Sequence, residues 1–315
     1  MFGNIVERIE RLPVGFLATT VGLATLSNAY GLIGFTYIKF LCMIIALTVF
    51  LMGTLKLTKY NTTFLAEYKN VVPASLYGAY SMLAMISGAF LFNFNKPLGE
   101  GLWLFGVVFH ASAIVIFTYR NVFKNFKIET FVPSWFVTYN GIMVSVVVGG
   151  AIKAPILKQV VLIYGLFIFF LIIPFMIKRL ITNPLPDMLY HTKAVLLAPS
   201  SLCVVSYFNI VKQPNFFVAC FLYGIVFITL LSILKSIPKF FSFNFHPGFA
   251  GTTFPMAIGT IASFKMAGYL LSINQPLYAQ IIKNIAGLQV FITTAIIGMV
   301  FFNFLKQSVV KKDKI

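Results

Sequence analysis

Acidic residues are nearly missing from this chain: seven Asp and Glu stand against 24 Lys and Arg in 315 residues. The seven are Glu7, Glu10, Glu67, Glu100, Glu129, Asp187 and Asp313, and each falls at a terminus, in a polar connection or at the end of an apolar run. A proton- or sodium-driven carrier needs a titratable or coordinating group at membrane depth; no carboxylate is available for one here. Cysteine is scarce too. Cys42, Cys203 and Cys220 show neither metal nor redox spacing and read as core thiols. Of the three histidines, His110 sits inside an apolar run and reads as packing, while His191 and His246 stand where runs begin. There is no zinc-protease helix, dinucleotide or phosphate-binding glycine loop, or Ser/His/Asp arrangement. No enzyme, metal or cofactor is therefore expected.

Charged residues make up only 10% of the chain and hydrophobic ones 59%, too little polar surface to coat a soluble globule of this length. A helical span needs roughly 20 apolar residues, and ten stretches qualify: 13–31, 36–57, 71–92, 98–119, 131–151, 155–177, 195–211, 215–236, 248–271 and 277–305. A transmembrane barrel would alternate apolar and polar residues, whereas "VVLIYGLFIFFLII" is apolar on every side. The fold class is an all-α polytopic membrane protein, with residues 1–315 forming one transmembrane domain. The opening "MFGNIVERIERLPVGFLATTVGLATL" carries Glu7 and Glu10, lacks an obvious cleavage site and reads as an uncleaved first span.

The formal net charge of +17 follows topology rather than a nucleic-acid patch, so no nucleic acid is expected. The chain ends and the connections after even spans hold 17 of the 24 basic residues, from Arg8 and Arg11 to Lys312 and Lys314. The other side holds Lys39, Lys96, Lys153, Lys158, Lys212, Lys265 and Lys283. The positive-inside rule puts both termini in the cytoplasm of a cell inner (plasma) membrane. Asn61-Thr62-Thr63 matches a glycosylation signal, but on the Lys-rich side, where that modification does not occur. Outer connections such as "GLIGF" and "SINQP" are short and cytoplasmic ones longer, a period of roughly 60 residues that makes five hairpins. Odd spans begin with or contain Pro13, Pro73, Pro133, Pro199 and Pro255 and carry the small and hydroxyl residues; even spans are greasier. Small and hydroxyl residues suit close helix contacts or a wet lumen. The odd helices are expected inside, around a central pore, and the even helices outside, facing lipid.

"RLPVGFLATTVGLATLSNAY" (11–30), "LLAPSSLCVVSYFNI" (196–210) and "GTTFPMAIGTIAS" (251–263) resemble the tellurite-resistance/dicarboxylate transporter family, which includes bacterial TehA proteins and the slow-type anion channels of plant guard cells. The resemblance runs from about residue 12 to 305 and implies ten helices in five hairpins around one pore per protomer, with three protomers together. It maps the family's occluding aromatic onto Phe254, directly before Pro255. Relatives tend to carry mid-span prolines on other inner helices; here Thr20, Ser81 and Thr138 stand in roughly those places. Thr20 and Thr138 are expected to line the pore, and bends there to pass through Gly15, Gly78 or Gly141.

Proline lacks the amide that would bond the carbonyl four residues back, and four residues before Pro255 stands Gly251; the two look like a paired kink, with Pro199 in support on the seventh span. At 100° per residue, Phe254 and Lys265 lie about 20° from eclipsed with a rise of roughly 16 Å. Gly251, Ile258 and Ile261 share that face, so the stripe is expected to face the pore, with Phe254 as gate. Lys265, Lys283 and Lys153 are expected at an outer vestibule. Small anions and lipid are the expected partners. Chloride and nitrate suit a passive channel; the alternatives are a proton-coupled carrier or exporter of C4-dicarboxylate, tellurite or sulfite, and a non-conducting sensor.

Overall fold

The structure, a computed structural model, describes residues 9–309. Glu7, Arg8, Lys311, Lys312, Asp313 and Lys314 lie outside the described residues. Ten apolar helical segments follow one another: α1 (Val14–Leu32), α2 (Thr36–Lys59), α3 (Val71–Leu91), α4 (Lys96–Thr118), α5 (Trp135–Val148), α6 (Pro155–Thr182), α7 (Leu197–Ile210), α8 (Phe216–Phe240), α9 (Thr253–Ser272) and α10 (Pro276–Val309). No strand occurs among the described residues. Eight of the segments, taken with their flanking turns, are long and apolar enough to cross a membrane. The other two are α1, whose Thr19, Thr20, Thr25, Ser27 and Asn28 lower its hydropathy, and the short, interrupted α5.

Burial separates the segments into two shells. The apolar windows of α3 and α9 are 78% buried and that of α7 72%, whereas those of the even helices are between 28% and 39% buried. Helix α1 packs on α3, α3 on α5, α5 on α7, α7 on α9, and α9 back on α1. The odd helices thus close a ring, and the greasy even helices pack outside it, with Phe167, Phe217 and Phe291 exposed. Outer connections within hairpins run three to six residues. Those at the basic end are longer and are tied by buried cations. Lys56 reaches Glu67 and the Leu12 carbonyl, both at 2.7 Å, and Arg179 donates to the carbonyls of Ile128, Glu129 and Asn183. Some positive charges that sequence assigns only to sidedness are therefore loop fasteners.

The inner helices are broken near Gly78 and Gly141, as the sequence leads one to expect, but not by a kink at Pro255 nor at Gly15. Pro73, Pro199 and Pro255 each occupy the third residue of their helix, where the amide has no intrahelical partner to lose. Pro255 therefore does not kink a running helix: residues Pro247–Thr252 form a 3-10 turn and α9 starts after it. A 3-10 stretch, Asp187–Leu196, likewise precedes α7. Helix α3 breaks at Tyr77, just before Gly78, and α5 tightens to 3-10 over Gly141–Met143. Helix α1 runs unbroken, with Gly15 in its first turn.

His110 of α4, fully buried, braces both of these breaks. Its Nε2–H donates to the Thr138 carbonyl at 2.8 Å, and the Ser81 hydroxyl lies 2.7 Å from Nδ1 and 2.8 Å from the Gly78 carbonyl. A Cβ on Gly141 would stand 2.6 Å from the ring's Cε1, so this close approach requires glycine. His110→Phe keeps the ring but leaves the Thr138 carbonyl without this partner, while the Ser81 hydroxyl keeps the Gly78 carbonyl. It is expected to cost about 1–3 kcal/mol for the carbonyl left unpaired, seen as a lowered melting temperature in detergent; an unchanged melt would remove the brace.

Candidate functional site

The broken starts of the inner helices converge on one enclosed cavity of about 30 Å³. Each inner helix supplies part of the wall: Val21 from α1, Ala79 from α3, Phe136 from α5, Ala198 from α7 and Phe254 from α9. Gly251 and Pro255 line it too. All these positions lie in the N-terminal halves of their helices, so the cavity sits toward the basic end of the bundle. No charged side chain lines it. Its electrostatics come from backbone: α7 and α9 begin at its wall, and a helix N-terminus carries roughly half a positive charge.

Phe254 is 7% exposed and contributes its ring to this wall from the first turn of α9. What seats that turn was not legible in the sequence. Gly22 of α1 lies so close that a Cβ there would stand 2.8 Å from the Phe254 amide nitrogen and 2.9 Å from the Thr253 carbonyl carbon. The turn itself is held by two hydroxyls: Thr252 donates to the Phe249 carbonyl and Thr253 to the Ala250 carbonyl, both at 2.7 Å. Beneath it the His191, Phe249 and His246 rings cluster, His191 tilted on Phe249 with centroids 3.9 Å apart and His246 edge-on to both. His246, just before the span, accepts the Gly248 amide on Nδ1 at 3.2 Å, and burial holds its pKa below the usual histidine value.

Four residues expected on the pore wall do not line this cavity. The Thr20 hydroxyl bonds back to the Phe16 carbonyl at 2.8 Å, and Thr138 turns toward the Ser75 carbonyl at 3.3 Å. Ile258 and Ile261 are buried in packing beyond Phe254, so the predicted stripe is not an open wall: above the ring the bundle closes. Pro199 is buried in the first turn of α7 beside the wall residue Ala198.

At the far end of the same stripe Lys265 emerges, exposed. It shares an open basin of about 700 Å³ with Lys212 and Lys283, and its ammonium donates to Asn209 Oδ1 at 2.8 Å. Lys153 lines an adjoining basin with Lys158 and Lys212. Lys158 is not free to attract solute. It is 8% exposed and bonds the Gly149 and Ile152 carbonyls, capping the end of α5.

A broken ring of five inner helices around one apolar cavity suits a conduit more than a catalyst, and the sequence agrees. The family model described as voltage-dependent anion channel, SLAC1, matches residues 11–307. The chain belongs to the SLAC1 family. No curated protein matches it. SLAC1-family membership makes it an anion channel or transporter, and it is the family that the three quoted motifs resemble.

The seat of the turn that carries Phe254 can be tested without measuring transport. Gly22→Ala pushes a methyl into the α9 backbone, an overpacking expected to cost about 1–3 kcal/mol, while Gly31→Ala on the same helix meets nothing within 4 Å. Melting curves in detergent should fall for the first and stay level for the second. Equal melts would show that α1 and α9 are not packed this closely.

Proposed function

We propose that the protein is a passive anion channel of the inner (plasma) membrane, a TehA-like SLAC1-family member with both termini cytoplasmic. Small inorganic anions such as chloride and nitrate pass through a pore within each of three protomers, and Phe254 occludes it. The observation that carries this reading is an apolar cavity walled by all five inner helices, with Phe254 in its wall. A site built to hold a dicarboxylate needs fixed, convergent polar partners for both carboxylates; this wall has none. Conduction, in contrast, requires weak binding. Anion preference follows from the positive helix starts at the cavity and the basic groups at both ends, with no fixed carboxylate between to oppose them.

Phe254 blocks by filling space, and the field that selects anions lies elsewhere. Phe254→Ala is therefore expected to raise the current of purified protein in planar bilayers many-fold. In asymmetric chloride that current should reverse at the chloride equilibrium potential and ignore a pH gradient. Current that follows the pH gradient would favour the coupled carrier; a folded Phe254→Ala protein as closed as the parent would remove Phe254 as the gate.

The outer lysines act on rate. Replacing Lys212, Lys265 and Lys283 with Gln should lower conductance at low salt, and the deficit should fade above about 0.5 M as the screening length shrinks toward 3 Å. A deficit that persists in high salt would mean that the lysines hold structure instead of steering ions.

A further inference from the structure

A cleft of about 640 Å³ opens on the outer surface between α4 and α6, with α5 as its floor. Its long wall runs along α6 from Tyr164 to Thr182, about 27 Å at 1.5 Å per residue. That falls well short of a bilayer roughly 40 Å thick with its headgroups. A neighbouring copy docking by a spanning helix would cross both leaflets, and a single lipid crosses one. The chemistry grades along the same axis. Ile168, Leu171 and Phe175 line the deep part, Trp135 and Tyr139 the floor, and Lys178 and Asn183 the shallow end.

The charge at that end is unbalanced. Arg179 spends its guanidinium on backbone carbonyls. Lys178 is exposed, and among the described residues its ammonium has no partner. The nearby connection adds Lys124 and Lys127 against the single acid Glu129. Aromatic rings beside basic groups at one membrane face are the composition of an interfacial anchor, and an unpaired ammonium there attracts anionic headgroups.

We infer that this cleft binds an anionic phospholipid of the leaflet at the basic end, its phosphate at Lys178 and one acyl chain against the exposed Phe126, Leu171 and Phe175, above the buried Trp135 and Tyr139. The site adjoins the pore wall, because α5 turns Trp135 and Tyr139 to the cleft and Phe136 and Gly141 to the axial cavity. One short helix separates lipid from lumen.

The chain has two tryptophans, Trp103 and Trp135, so Trp103→Phe leaves the cleft floor as the only indole. In vesicles containing acyl-brominated lipid, brominated phosphatidylglycerol should half-quench Trp135 at about fivefold lower mole fraction than brominated phosphatidylcholine, the equivalent of about 1 kcal/mol from one basic side chain. Lys178→Gln should bring the two lipids close to parity. Equal quenching in the Lys178 protein overturns the proposal, and so does no quenching by either lipid, the outcome expected if a second copy covers the cleft. Should Trp103→Phe not fold, phosphatidylglycerol retained by the parent and Lys178→Gln proteins in native mass spectrometry makes the same comparison. None of these readouts needs current, so they stand apart from the channel assignment.

Discussion

A carbonyl freed inside a membrane has no water to turn to, and the inner helices here free many. The polar side chains of the bundle are distributed accordingly. Ser75, Thr252 and Thr253 return hydroxyls to carbonyls three residues back, at the start of their helices. Where local hydroxyls do not reach, longer side chains arrive from neighbours: His110 to Thr138, and Asn209 to Val146 and Val147. Even Lys158 is used in this way, on the last carbonyls after α5. With these groups in place the ring can be broken at several levels and remain dry. Without them each break would leave a backbone group unpaired at a cost of about 1–3 kcal/mol.

The same breaks give the bundle its polarity. Odd helices all run from the basic end outward, so the starts of α7 and α9 lie at the cavity. Positive partial charge is delivered to the axis by backbone alone. This explains why so few ionisable side chains are needed in the inner helices, and why carboxylates are kept out of them: one such group on the axis would oppose the field of the helix starts.

The concentric order of helices was legible because lipid-facing and ring-facing surfaces differ in composition, and that difference recurs in each hairpin. Gly251, Phe254 and Pro255 stood out in sequence as an aromatic-proline pair after a glycine, and they do share the cavity wall, but the kink expected of Gly251 and Pro255 is the junction of a 3-10 turn with α9. Thr20 and Thr138 misled. A hydroxyl in a membrane helix has the same appearance in sequence whether it faces a lumen or bonds its own backbone. The 3-10 run Asp187–Leu196 left no mark, since tighter winding changes hydrogen-bond partners more than residue choice. Gly22 and His110 were hidden for another reason: their roles depend on which helix lies opposite, and sequence spacing along one helix carries no such record.

An apolar cavity of about 30 Å³ is close to the size at which a water molecule gains little by entering, because it finds no partners on the wall. A channel occluded there in the way proposed for Phe254 would be shut by surface tension as well as by a ring. Moving the Phe254 side chain aside would not by itself admit an ion; the passage must also widen until liquid can fill it. Filling is abrupt in narrow apolar pores, so conduction through such a neck would switch between dry and wet states instead of growing in proportion to the ring's displacement.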